Sequence, residues 1–429
     1  MYEQRREALA KLVGTGVVLV PSAKTHLRNN DVEFPFRQCS DFYYLTGFDE
    51  PEALLVLEVS AGVGQSTLFL RERDPLREQW DGSRLGVDGA IDRLGVDKAF
   101  PIGELERRLP ALCEGRESVC FPIGVDSDLD SLVIRTLSSL RRRGRQGSLA
   151  PAYLRDLSAI VAEMRLIKDP SEVQTMRQAA RITGLAHLAA MKIARPGAYE
   201  YELEAAMLQV FRANGCERVA YDCIVGAGAN ATVLHYRRNN CRLDEDDLVL
   251  IDAGCEYQYY ASDVTRTFPA SGRFSGPQKA IYEVVLEAQK AAVEAAVPGA
   301  TLGEVHEVAV RRLTEGLIDL KLLEGSVDDA IESERYKQFY MHRTSHWLGM
   351  DVHDVGAYHR SGAERTLEPG MVITVEPGLY VSDSEQSDAR FRGVGVRIED
   401  DILVLDDGNE NLTADIPKEC SDIQYAMSG

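Results

Sequence analysis

The stretch Leu248-Val249-Leu250-Ile251-Asp252-Ala253-Gly254, followed by Tyr259-Tyr260-Ala261-Ser262-Asp263-Val264-Thr265, reads as two apolar strands, each carrying an aspartate where water should not reach. A hairpin turning near Tyr257 and Gln258 sets Asp252 opposite Asp263. Opposed residues of an antiparallel pair share a face at ~5 Å between Cβ atoms. Two carboxylates held that way on a buried sheet repel one another and persist only with shared protons or a cation between them.

Two further acids close apolar runs downstream. Glu376 ends Met371-Val372-Ile373-Thr374-Val375, and Glu399 follows Gly393-Val394-Gly395-Val396-Arg397-Ile398. One such acid is ordinarily a polar residue at a strand end; four in succession are a pattern. Histidine supplies the complement: His342, His346 and His353 lie within twelve residues, and His235 stands in Val233-Leu234-His235-Tyr236. The H-x-x-x-H spacing lacks the glutamate of H-E-x-x-H, and Gly349 ends any helix early, so a zincin reading is weak. One histidine with four carboxylates is instead a hard, oxygen-rich donor set suited to Mn2+ or a similar divalent ion. Four negative charges match two divalent cations, and two ions about 3.5–4 Å apart activate water for hydrolysis. By strand alternation Arg397 shares a face with Glu399 and Thr265 with Asp263, which predicts that each orients that carboxylate.

Composition narrows the partners. The 429 residues carry 48 Lys plus Arg against 68 Asp plus Glu, a net charge of −20, which repels a polyphosphate backbone and argues against nucleic acid and anionic membrane. Hydrophobic residues make up 45%, enough for a sizeable core, and no apolar run approaches the ~20 residues of a membrane span. Eight scattered cysteines form no C-x-x-C and read as thiols in a reducing compartment. The expectation is a water-soluble, cytoplasmic protein.

Two textures divide the chain. The first part alternates strands (Gly16–Pro21, 53–57, 67–70) with helices (103–113, 129–141), a mixed-sheet α/β domain; a further helix is predicted from Ala152 to Ile167. Asp169-Pro170-Ser171-Glu172 is a capping box with proline at the first helical position, so the boundary falls before it: residues 1–168 and 169–429. The second part is α+β with an internal echo. Helix (173–193), Pro196-Gly197-Ala198, helix (201–214) recurs as helix (278–296), Pro298-Gly299-Ala300, helix (302–318), which suggests a duplicated, pseudo-twofold unit.

Taken in order, Leu250 to Gly254, Ser262 to Phe268, His342 to Val355, Leu367 to Tyr380 and Gly395 to Asp401 closely resemble the pita-bread metallopeptidases, above all the aminopeptidase P (Xaa-Pro aminopeptidase) family, with prolidase next. Ser40-Asp41-Phe42-Tyr43-Tyr44-Leu45-Thr46-Gly47-Phe48 is similar to the front domain of that family, which has a substrate or oligomer role. The resemblance implies a pita-bread catalytic domain that hydrolyses the Xaa-Pro bond at peptide N-termini through a hydroxide bridging two divalent ions, Mn2+ first, with Co2+ or Zn2+ as alternatives. It implies Asp252 on one metal, Asp263 and Glu399 bridging both, and His346 as the single imidazole ligand. Glu376 is then both ligand and general acid/base. Arg397 joins the catalytic group, and His235, His342 and His353 line the substrate pocket and steady the tetrahedral intermediate. Trp80 and Tyr221 would wall the prolyl ring, and Asp41 would face the substrate's ammonium. Arg343 departs from the pattern, since a bacterial relative often has glycine there. A homo-oligomer, dimer or tetramer, is also implied. Prolidase, restricted to dipeptides, is the alternative; a metal-free binding module would show lost ligands, and here all five stand.

Overall fold

A computed structural model describes residues 1–428. Two compact units divide between Met164 and Arg165. In the first, a six-stranded mixed sheet runs in the spatial order Lys98–Pro101, Val63–Leu70, Leu54–Ser60, Gly16–Pro21, Ser118–Phe121, Tyr153–Asp156. The central pairings are antiparallel and the outer ones parallel. Its apolar runs do what their composition asks: Val17, Leu19, Leu54, Val56 and Phe69 form a core with Leu109, Val133 and Leu137 of the covering helices. The predicted helix from 152 is half right. Residues Tyr153–Asp156 form the edge strand, and the helix spans Ser158–Leu166. The strand forms because Tyr153 to Asp156 complete the ladder of Ser118–Phe121, a pairing that local sequence does not record.

The second unit holds the duplicated layout. Asp169 caps the helix Pro170–Ile193 with the reciprocal Glu172 bond, and Thr301 with Glu304 does the same for Leu302–Asp319. Both Pro-Gly-Ala turns place glycine at positive φ, Gly197 at 91° and Gly299 at 89°, where a side chain would strain the backbone. The echo extends to hydrogen bonds. The Gly197 N–H donates to the Leu243 carbonyl and the Leu243 N–H to that of Ala198; Gly299, Leu367 and Ala300 repeat the pattern. Each helix pair then backs an antiparallel sheet: Ile224–Ala227, Leu248–Asp252 and Thr265–Pro269 in the first copy, Val372–Val375, Asp400–Val404 and Asn409–Asn411 in the second. The core between them includes Ile182, Met207, Phe211, Val249, Ile251, Phe268, Tyr282 and Val285. Among the described residues, no helix is long and apolar enough to cross a membrane.

The hairpin register differs from the expectation. Gln258 and Tyr259, at φ 48° and 70°, form the turn, one residue later than predicted, so Asp252 pairs with Thr265 and not with Asp263. Two successive left-handed residues suit the right-handed twist of a two-residue hairpin, which is why the turn settles there. Asp263 still returns beside Asp252, because Gly254 lets the arms nearly touch: a Cβ on Gly254 would lie 1.8 Å from the Ser262 carbonyl oxygen.

Candidate metal centre

The two copies meet where the strand Thr265–Pro269 runs beside Gly395–Arg397. Thr267 Oγ1 donates to the Arg397 carbonyl at 3.0 Å, and the Glu399 N–H donates to the Thr265 carbonyl at 3.1 Å. Asp263 and Glu399 therefore face one another across the join. Residues 344–348 lie along the strand Val372–Val375: Glu376 N–H donates to Thr344 O at 2.8 Å, and Thr374 N–H to His346 O at 3.0 Å. That pairing sets His346 beside Glu376.

Asp263, His346 and Glu399 each offer a ligand atom within 4.8 Å of the others. His346 Nε2 lies 3.4 Å from Asp263 Oδ2 and 3.6 Å from Glu376 Oε1. Asp252 completes the set through the Tyr221 hydroxyl, which donates to Asp252 Oδ1 at 2.6 Å and also reaches Asp263 Oδ1. All of these residues line one cavity of about 450 Å³, with His235, His342, His353 and Arg397. Burial pushes the carboxyl of Asp252 up, that of Glu376 to about 8, and that of Glu399 well above the usual range. Burial alone would lower His346, but the Asp263 carboxylate, with Glu376 and the Trp347 carbonyl, more than offsets it and raises the imidazole to about 9. Four acids set against one imidazole and the Arg397 guanidinium leave a surplus of negative charge, and a divalent cation is what their chemistry fits.

The supporting contacts correct the expected partners. Arg397 donates to Asp252 Oδ2 at 2.6 Å, to the Tyr380 hydroxyl at 2.9 Å and to Thr265 Oγ1 at 3.1 Å, rather than to Glu399. Thr265 in turn donates to Glu399 Oε2 at 2.7 Å, rather than to Asp263. Each therefore serves an acid of the other copy, because the strands lie side by side there and the neighbour across the join is nearer than the neighbour along the strand. Asp263 is steadied instead by Asp401, whose carboxylate accepts its backbone N–H at 3.2 Å.

The histidines separate into two kinds. His342 has both ring nitrogens engaged, by the Arg343 carbonyl at 2.8 Å and the Tyr380 hydroxyl at 2.9 Å; burial and Arg397 hold its pKa down to about 3. His235 and His353 are exposed in the cavity, and His353 meets His346 edge-on at 4.5 Å. The proton on His346 Nδ1 goes to the Trp347 carbonyl at 3.0 Å, which leaves Nε2 turned to the carboxylates. That same carbonyl accepts the Asp354 N–H at 2.9 Å. Asp354, 1% exposed, is gripped by Arg165 at 2.6 Å and Lys168 at 3.1 Å. Sequence reading missed this buried triad; Asp354 directly follows His353, and two cations just ahead of a capping box were the available signal. Asp41 and Trp80 belong to the first unit, Asp41 in the first turn of Ser40–Thr46 and Trp80, 85% exposed, on the helix Pro75–Asp81.

Such a fold, with hard ligands gathered at the join of a duplicated unit, defines a metal-dependent hydrolase. Residues 174–406 match the model of metallopeptidase family M24, and residues 2–121 match that of the aminopeptidase P N-terminal domain. The Xaa-Pro aminopeptidase of Escherichia coli K12 is 44% identical over 99% of this chain and 97% of its own length. Among solved structures, aminopeptidase PepP of Pseudomonas aeruginosa is 49% identical with a TM-score of 0.97, covering 100% of this chain and 97% of that one. A zinc-substituted E. coli aminopeptidase P in complex with product aligns with a TM-score of 0.97 at 44% identity, over 100% of this chain and 97% of that one. The chain belongs to metallopeptidase family M24, and it is a metal-dependent aminopeptidase.

Proposed function

We propose that the protein releases the N-terminal residue from peptides with proline in second place, using two divalent ions, Mn2+ in first choice. Asp252, Asp263, His346, Glu376 and Glu399 would hold them. When bound, the ions supply Lewis acidity toward the scissile carbonyl and lower the pKa of water. Glu376, with its carboxylate 3.6 Å from His346 and lining the same cavity, is placed to take a proton from the attacking water and return it to the departing prolyl nitrogen. His353 and His235, with no hydrogen-bond partner among the described residues, are available to donate to the oxygen that gains charge in the transition state. Arg397 donates to Asp252 and links through Tyr380 to His342, fixing the far wall. An Xaa-Pro bond lacks an amide N–H, so a site that grips the carbonyl and the free α-amine loses nothing at proline.

The observation that carries this reading is the convergence of four acids and one imidazole in a cavity open to a peptide N-terminus; likeness to the E. coli enzyme supports the proline preference. The substrate roles of Asp41, Trp80 and Tyr221, a homo-oligomeric state and a cytoplasmic location with eight unbridged thiols belong to the same proposal. Its test is turnover of Ala-Pro-Ala after chelation and after return of Mn2+, Co2+ or Zn2+, with metal content measured in parallel. Activity should vanish and return most fully with Mn2+. Full activity of metal-free protein, or cleavage of Ala-Pro alone, would overturn it.

A further inference from the structure

The catalytic cavity has a polarity that its ligands do not account for. Its floor is acidic, while three arginines line it: Arg237, Arg343 and Arg397. Arg397 is spent on Asp252 at 2.6 Å, and Arg237 leans on Asp222 at 3.5 Å. The Arg343 side chain is exposed and has neither a hydrogen bond nor an ion pair among the described residues. It follows directly on His342, whose ring is fixed at both nitrogens, so its backbone is held while its guanidinium is not.

Arg343 also stands where three cavities meet. The catalytic one shares His342 and Arg343 with a second, of about 540 Å³, and that shares Gly303, His306, Arg343 and Glu364 with a third, of about 190 Å³. In the second cavity the other cations are satisfied: Arg311 by Asp328 at 2.9 Å and Lys337 by Glu334 at 2.6 Å. Glu364 accepts the Gly303 N–H at 3.2 Å, and Glu307, the remaining acid there, does not line the catalytic cavity. A peptide chain leaving the acidic floor toward these cavities passes one unspent positive charge.

We propose that Arg343 and the adjoining cavity form a subsite for the leaving portion of the substrate, binding a carboxylate there, either the free C-terminus of a short peptide or an acidic side chain beyond the proline. A short zwitterionic peptide then fits end for end, ammonium at the acidic floor and carboxylate at Arg343. Guanidinium is the group suited to this task, because its planar fork meets a carboxylate with two parallel hydrogen bonds. At an exposed rim the gain is modest and salt-sensitive.

This subsite rests on the proline reading above, and one experiment separates the two. Ala-Pro-Ala with a free C-terminus and its C-terminal amide are turned over by the metal-loaded enzyme at low and high ionic strength. The free acid should be preferred about fivefold in kcat/KM at low salt, through KM, with the preference shrinking as salt rises. Arg343→Met should abolish the preference, and Arg343→Lys should keep part of it, which a merely structural role would not do. Equal turnover of the two peptides by the wild type, or a Met variant that keeps the ratio, overturns the subsite alone. Failure to cleave either peptide overturns the proline reading and the subsite with it.

Discussion

In the first copy of the repeated unit, the Pro-Gly-Ala turn at 196–198 leads to a strand ending in Asp252 and a return segment bearing Asp263; in the second, the turn at 298–300 leads to His346, Glu376 and Glu399. The backbone frames agree down to the paired hydrogen bonds of Gly197 and Gly299, yet neither copy holds a complete donor set. The connecting segment is longer in the second copy, residues 320–371 against 214–247, and that extra length carries His342, His346 and His353. A duplicated frame supplies position, and its divergence supplies chemistry: short aspartates on one side, an imidazole and longer glutamates on the other.

The sharpest way to break the comparison is to neutralise one acid per copy. Asp263→Asn and Glu399→Gln should each lower kcat/KM by at least about 10²–10⁴-fold and reduce bound metal on direct analysis. A variant that keeps activity would mean that one copy suffices. The next effect is in stability. The second copy ties its histidine loop with the buried Asp354–Arg165–Lys168 triad. The first ties the segment holding His235 through Glu200, which accepts from Ala227, Asn230, Tyr236 and Cys241. Asp354→Asn leaves the buried Lys168 without a carboxylate and Arg165 with Asp351 alone, at 2.7 Å, and should cost about 3–5 kcal/mol in urea unfolding. Glu200→Gln leaves one donor facing another and should cost about 1–3 kcal/mol. Equal costs would show that a carboxylate tied to cations is no stronger a tie than one held by uncharged donors.

The smallest effect concerns a matched pair. His187 and Gln289 have the same sequence spacing as the two glycines, and both are fully buried. Burial holds His187 down to about 3 from an ordinary 6.5. A depressed imidazole binds its proton in the unfolded chain first, so its contribution is whole above about 6.5 and is lost as pH falls toward 3. The urea midpoint should drop between pH 7 and pH 5, and His187→Gln, which copies the other half, should flatten that slope. An unchanged slope would assign the loss to other groups.

Much of this frame could be read from the chain. The acids were visible because each closes an apolar run, and the helix start at Pro170 because capping residues act locally. What escaped was set by distance or by a single torsion. The hairpin register turned on left-handed angles at Gln258 and Tyr259, residues with no marked preference for them. The partners of Arg397 and Thr265 lie across the join between copies, where alternation along one strand is silent. Lys168 and Asp354 are 186 residues apart, so only packing brings them together.

The close approach at Gly254 also constrains how this chain can change. With the Ser262 oxygen 1.8 Å from where a first carbon would sit, every codon change to another amino acid pries the two aspartates apart. Surface loops can drift by many small neutral steps; this position has no such steps, and the gap between the metal-facing arms is inherited whole or lost at once.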